Sequence, residues 1–243
     1  METSQLLTFA HIADITYSDP KEAKTKFKTL GYSYNIVEFF DIDHAQAYLL
    51  KGSDGIHVLS FRGTEVSEPS DVLADLKAGK NIEPIGGKIH VGFKGEINKL
   101  WPTIEKAIAG IDKLYVTGHS LGAAMATIAA GRMQSKVIAL VTFGSPRVGN
   151  KEYVNCLTFS HYRVQNNCDD VTKVPFRLMG FTHHGTHKYL NYYGVFRDLT
   201  PWQKVKDMVR SRVKAYMKGQ KFLGAYDHMM TNYINKLEKA GEE

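Results

Sequence analysis

The stretch Val116–Gly131, VTGHSLGAAMATIAAG, carries one serine, Ser120, between Gly118 and Gly122. The run Lys113–Thr117 before it reads as a buried strand, and Leu121–Arg132, dense in alanine, reads as a helix. A strand that becomes a helix within two residues holds its apex in strained backbone. Small residues two before and two after the apex let the chain pass closely. The apex side chain then stands above the carboxyl ends of the strands, where α/β sheets keep their ligands. The plain alternative is a glycine-flanked turn with a serine helix cap. If the apex reading holds, the chemistry is nucleophilic. A serine hydroxyl attacks a carbonyl only when a base takes its proton and a third group orients that base.

In an α/β sheet of this kind the acid follows the serine and the histidine follows the acid. Two acids qualify, Asp169 and Asp170, after a strand read at Thr158–Gln165. The same Asn-Asn-Cys-Asp-Asp run also reads as a turn, and spacing does not choose between the two acids. Two sets of histidines qualify: the cluster His183, His184 and His187, and the late His228 in Ala-Tyr-Asp-His-Met-Met. Histidine clusters also suggest metal binding, but no carboxylate or cysteine set completes a site here. The oxyanion of an acyl transfer needs two aimed N–H donors. Leu121, directly after the serine, supplies one. Thr64, in Arg62-Gly63-Thr64 at the end of an earlier strand, supplies the other.

These residues need a scaffold. A first helix is expected over Gln5–Tyr17, strands over Ser33–Asp41, Ala45–Leu50 and Gly55–Phe61, and a helix over Gly92–Ala109 with Pro102 as a blemish. Asp71–Lys77, with Ser70 as N-cap, carries a short helical signal, and Asn81–Lys88 reads as a Pro/Gly-rich connection. Another strand follows at Val137–Phe143, then a helix from about Asn150. Strands alternating with helices argue for a mainly parallel sheet covered on both faces. The last fifty residues look helical. Trp202, Val205, Val209, Val213, Tyr216 and Met217 form one apolar stripe, and Met229, Tyr233 and Leu237 form another. No repeat, low-complexity tract or linker interrupts the 243 residues, so one domain is expected.

An apolar fraction of 43% with 23% charged residues fits a globular protein. No run approaches the roughly 18 apolar residues of a membrane span. The N-terminus lacks the basic and long apolar regions of a secretory signal. A cytoplasmic setting is therefore expected for the chain as written, or a secreted one if a leader has been removed. Cys156 and Cys168 flank the strand at Thr158–Gln165, whose ends lie roughly 20 Å apart at about 3.3 Å per residue. That is too far for a disulfide, so both are expected as thiols. The net charge of +6 is uneven, with Lys204, Lys206, Arg210, Arg212, Lys214, Lys218 and Lys221 set against Asp207 alone. Such a stretch suits an anionic surface or a solvated helix face. No phosphate loop, zinc spacing or RNA-binding motif accompanies it, so no nucleic-acid partner is expected.

Taken together, the motifs resemble the class 3 lipases, the fungal-type lipase family of the α/β-hydrolase fold. VLSFRGTE resembles that family's oxyanion strand and loop, and KIHVGFKGEI its segment before a long helix. VTGHSLGAAMA resembles its nucleophile elbow, with Ala123 where glycine is common, and VTFGSPRVGN resembles the next strand and turn. The resemblance runs in order from Val58 to Asn150 and continues more weakly through Pro175 and Tyr233. It implies Ser120 as nucleophile, Asp169 as the acid within Asn166–Pro175, and His228 as the base, with Thr64 and Leu121 as oxyanion donors. His187 falls where the family often has glutamate.

SDVLADL resembles the segment closing the family's lid. The lid implied over Glu65–Asp75 offers Val66, Pro69, Val72 and Leu73 as its apolar surface, a modest one, so weak interfacial activation is expected. The implied activity is hydrolysis of carboxylic esters through an acyl-enzyme, with no metal or cofactor. Triacylglycerols and short or medium-chain esters are the leading substrates; phospholipids and feruloyl-type esters are the alternatives. The basic stretch could lean on an anionic membrane. A rival of another class is an inactive, lipid-binding relative.

Overall fold

The computed structural model describes residues 1–64, 79–219 and 222–242. The chain begins with two helices, α1 (Thr3–Ile15) and α2 (Pro20–Thr29), then strands β1 (Tyr34–Ile42), β2 (Ala45–Gly52) and β3 (His57–Phe61). A short ribbon, β4 (Lys80–Ile82) with β5 (Lys88–His90), leads into helix α3 (Val91–Ala107), which runs on through Pro102. Then come β6 (Leu114–His119), α4 (Leu121–Arg132), β7 (Val137–Phe143), α5 (Lys151–Asn155), β8 (His161–Asn166) and β9 (Thr186–Leu190). Helices α6 (Pro201–Met217), α7 (Leu223–His228) and α8 (Met230–Glu242) complete the described chain.

Seven strands form one sheet in the order β1-β2-β3-β6-β7-β8-β9. The pairs β1–β2 and β2–β3 are antiparallel, and every pair from β3 to β9 is parallel. This is the mainly parallel, helix-covered sheet expected from the alternation of elements. Successive strand residues feed opposite faces. Leu59, Val116 and Leu140 pack under α3 and α4, whereas Val58, Val141 and Val164 pack under α1 and α8. Burial on both faces explains why β6 and β7 read as continuous apolar runs rather than alternating ones. Cys156 and Cys168 are both free thiols.

Three elements differ from the sequence reading. Helix α2 lies where none was expected; the Asp19 side chain caps its first N–H groups and Pro20 opens it, but only Ala23 and Phe27 are buried, too few for a visible stripe. The connection at Asn81–Lys88 contains the β4–β5 ribbon. Strand β9 is the third; only its last two residues, Tyr189 and Leu190, are buried, too few to mark a strand in the sequence. The helical signal at 71–77 and the lid residues Val66, Pro69, Val72 and Leu73 lie outside the described residues.

Candidate active site

Ser120 sits between β6 and α4 at φ 57° and ψ −125°, a region costing on the order of 1–3 kcal/mol for a residue with a side chain. Its two glycines explain how the strain is held. A Cβ on Gly118 would stand 2.5 Å from the Gly122 carbonyl oxygen, and one on Gly122 would stand 2.2 Å from that of Phe61. The elbow is thus clamped against itself and against the end of β3. The Ser120 N–H donates to the Phe143 carbonyl at 3.1 Å and ties the apex to β7. Ten successive residues of α4, Gly122 to Gly131, are buried, and their small size lets the helix lie close on the sheet.

His228, the last residue of α7, turns its Nε2 to within 2.9 Å of the Ser120 Oγ. Its Nδ1 lies 2.9 Å from Asp169 Oδ2. A carboxylate only accepts, so Nδ1 carries the proton and Nε2 is left to accept the serine hydroxyl. Asp169 is fully buried in the loop after β8. Burial alone would raise its pKa, but the neighbouring imidazole and the hydrogen bonds from His228 and Tyr233 hold it below the usual carboxylate value. Its Oδ1 accepts the Val171 N–H at 2.9 Å. Gly144, at φ +58°, leaves room behind the pair: a Cβ there would stand 2.8 Å from His228 Nδ1 and 2.9 Å from Asp169 Oδ2.

Two residues to which the sequence reading gave no role complete the cluster. The Tyr233 hydroxyl donates to Asp169 Oδ2 at 2.6 Å and accepts the Asn166 N–H at 3.0 Å. In the sequence it shows as a member of the apolar stripe with Met229 and Leu237, five residues after His228, and not as a partner of the acid. The other is His119, beside Ser120, whose Nε2–H donates to the His228 carbonyl at 2.8 Å while its Nδ1 accepts the Tyr17 hydroxyl at 2.8 Å. Burial, and then the neighbouring His228, pull its pKa down to about 3, so it stays neutral and keeps that tautomer. His119 therefore fixes the backbone that carries the His228 ring. The motif Gly-His-Ser-Leu-Gly contained this signal.

The loop after β3 lies against the elbow: a Cβ on Gly63 would stand 2.7 Å from the His119 carbonyl and 3.3 Å from the Ser120 Cβ. Exposed Thr64 follows directly. Leu121 opens α4, where first-turn N–H groups have no intrahelical acceptor. The other sequence candidates lie elsewhere. Asp170 pairs with Lys173 and Arg212 at 2.6 and 2.7 Å. His183 Nε2 bonds the Thr172 carbonyl, and His184 stacks on His161. No group of three metal-ligating side chains occurs among the described residues.

His187 stands opposite Arg163 in the β8–β9 register, so the two side chains share a face. Arg163 is 6% exposed, its Nε has no partner, and burial with Arg147 nearby pulls its pKa to about 10. Lys204 donates to His187 Nδ1, which leaves a proton on a buried His187 Nε2 that also lacks a partner. Two donors thus meet no acceptor among the described residues. His187→Glu would place a carboxylate beside the guanidinium. It is expected to stabilise the fold by about 2 kcal/mol, or ~4–8 °C in Tm by calorimetry. An unchanged or lower Tm would mean that Arg163 lacks no counterion.

The model of the class 3 lipases, described as Lipase (class 3), matches residues 58–179. A lipase of Rhizopus niveus is 31% identical over 150 residues, covering 54% of this chain and 38% of the relative. The secreted mono- and diacylglycerol lipase 1 of Fusarium solani is 33% identical over 126 residues, covering 47% and 38%. The chain thus spans well under half the length of these relatives. Among solved structures, the mono- and diacylglycerol lipase of Aspergillus oryzae superposes with a TM-score of 0.70 at 22% identity, over 84% of each chain. Lipase II of Rhizopus niveus gives 0.65 at 24%, over 78% of this chain and 82% of its own. At these identities the likeness establishes the shared fold.

Proposed function

The chain belongs to the class 3 lipase family, with its α/β-hydrolase fold, and from that premise we propose that it is a serine carboxylic-ester hydrolase acting on acylglycerols. One observation carries the reading: Ser120 Oγ, His228 and Asp169 stand in an unbroken chain of 2.9 Å contacts. Residues 1–243 are read as one catalytic domain. In this mechanism His228 Nε2 takes the hydroxyl proton as Ser120 Oγ bonds to the ester carbonyl carbon. The negative oxygen that forms is met by the N–H groups of Leu121 and Thr64, each worth on the order of 3 kcal/mol of barrier. Collapse breaks the ester C–O bond, and His228 returns the proton to the departing alcohol. Water then repeats the sequence on the acyl-serine and releases the acid.

Acylglycerol substrates are favoured by the family and by the names of the Rhizopus and Fusarium relatives. The modest apolar content of Val66, Pro69, Val72 and Leu73 favours weak dependence on an interface, and the chain's partner is read as a lipid surface. The test is a chain-length series of esters, with and without emulsion, beside labelling by a fluorophosphonate. Labelling of Ser120 with turnover of p-nitrophenyl butyrate and of mono- or diacylglycerol is expected. Absence of both labelling and turnover would make the chain a non-catalytic lipid binder. Turnover confined to phospholipid or feruloyl esters would move the substrate class.

A further inference from the structure

Helix α6 packs inside out. Its N-terminus is set by a capping box between Thr200 and Gln203, and its buried residues are Ser211 and Ala215. Half-buried Asp207 anchors the same side, taking the Tyr189 hydroxyl at 2.9 Å, the Asn167 side-chain amide at 2.6 Å and the Tyr192 N–H at 3.2 Å. Polar and small side chains, with the half-buried Met208 as the one large apolar exception, thus face the protein. The apolar stripe Trp202, Val205, Val209, Val213 and Tyr216 faces outward, with Trp202 64%, Val209 56% and Tyr216 79% exposed. At about 100° per residue these five fall within roughly 80° of one another. Lys206 and Arg212 lie at either margin, and Arg210 lies one step beyond Lys206.

Water is a poor neighbour for such a face, and a surface helix normally turns its stripe inward. The basic margins say what covers it. Among the described residues, Lys206, Arg210 and Lys218 have no acidic partner in any ion pair. An apolar strip with Lys206 and Arg210, neither of them in an ion pair among the described residues, along one margin is complementary to a layer with anionic headgroups above acyl chains. Nucleic acid would use the cations and leave the strip in water. Three further apolar residues, Phe222, Tyr226 and Met229, are exposed around α7, which ends on His228. The Asp207 contact to Asn167 ties the helix to the loop that carries Asp169.

We propose that the outward face of α6, together with Phe222, Tyr226 and Met229, docks this protein on an anionic lipid surface and holds the serine site beside ester substrate in that surface. The inference rests on the ester-hydrolase reading only for what the docked site does there; the docking itself is measured without catalysis. The experiment is flotation with phosphatidylcholine vesicles, with and without phosphatidylglycerol, using wild type, Ser120→Ala, Val209→Asp and the double variant Lys206→Glu/Arg210→Glu. Wild type and Ser120→Ala are expected to float together and to prefer the anionic vesicles. Val209→Asp is expected to lower affinity at least ~10-fold, and the double variant to erase the preference for phosphatidylglycerol. Unchanged circular-dichroism melts in the variants show that the fold is kept.

Wild type indifferent to phosphatidylglycerol, or Val209→Asp floating like wild type, overturns the proposal. A wild-type dimer that Val209→Asp converts to monomer, read by sedimentation, overturns it in favour of a second copy. Flotation as expected without any ester turnover would leave docking standing and remove the hydrolase reading; turnover without flotation would do the reverse.

Discussion

Ser120→Ala is expected to slow turnover of a soluble ester about a million-fold, some ~8 kcal/mol of barrier, while the protein melts as the wild type does. The substitution removes one hydroxyl and leaves the surroundings in place. The Ser120 N–H bond to Phe143 is backbone, and the contacts among His228, Asp169 and Tyr233 do not involve the lost atom. His228→Ala is expected to cost a similar factor, because a serine without a base is no better than no serine. The double variant is then expected to be no slower than either single one, since the two groups act as a unit. His183→Ala provides the contrast. Its Nε2 bonds the Thr172 carbonyl rather than the reacting hydroxyl, so kcat is expected to hold. Steady-state kinetics on p-nitrophenyl butyrate decides the matter. A Ser120→Ala protein that keeps a tenth of wild-type turnover removes the nucleophile assignment. Loss of turnover in His183→Ala with retention in His228→Ala would hand the base to the earlier cluster.

The elbow was legible because its constraints are local. Gly118 and Gly122 touch one another, so their spacing reports the turn whatever the rest of the chain does. Strands β6 and β7 were legible because apolar burial on both faces leaves short apolar runs, too short for a buried helix. What depends on distant packing was not legible. Asp169 and Asp170 are neighbours of identical chemistry, and only the fold turns one onto His228 and the other out to Lys173 and Arg212. The family resemblance selected the first; spacing could not. Strand β9 escaped because His187 stands where a buried apolar residue would have made the alternation visible. Helix α6 shows the opposite case. Its stripe gives away the helix but not which side faces in, because the anchoring side is built from Asp207, Ser211 and Ala215, a set that pattern reading assigns to solvent.

Asp169→Asn is expected to keep the fold and lower kcat about ten-thousand-fold, an effect that follows from counting donors. In the native protein Oδ2 receives two, from His228 Nδ1 and the Tyr233 hydroxyl, and Oδ1 receives a third from the Val171 N–H. An amide offers one oxygen and one NH2 in the same space. With the oxygen toward His228 and Tyr233, the NH2 meets the Val171 N–H, donor against donor at a fully buried position. Flipped, the NH2 faces His228 Nδ1 and demands an acceptor there, which moves the imidazole proton to Nε2. That nitrogen can then no longer take the Ser120 proton, and the base is lost without being removed. Neither orientation stabilises the imidazolium as a carboxylate does. Asp170→Asn is the control, because its carboxylate serves two ion pairs at the surface and no part of this chain of bonds. If Asp169→Asn stayed within about tenfold of wild type while Asp170→Asn fell, the orienting acid would be Asp170, reached by a loop rearrangement, and the buried contact at His228 Nδ1 would have no part in the rate.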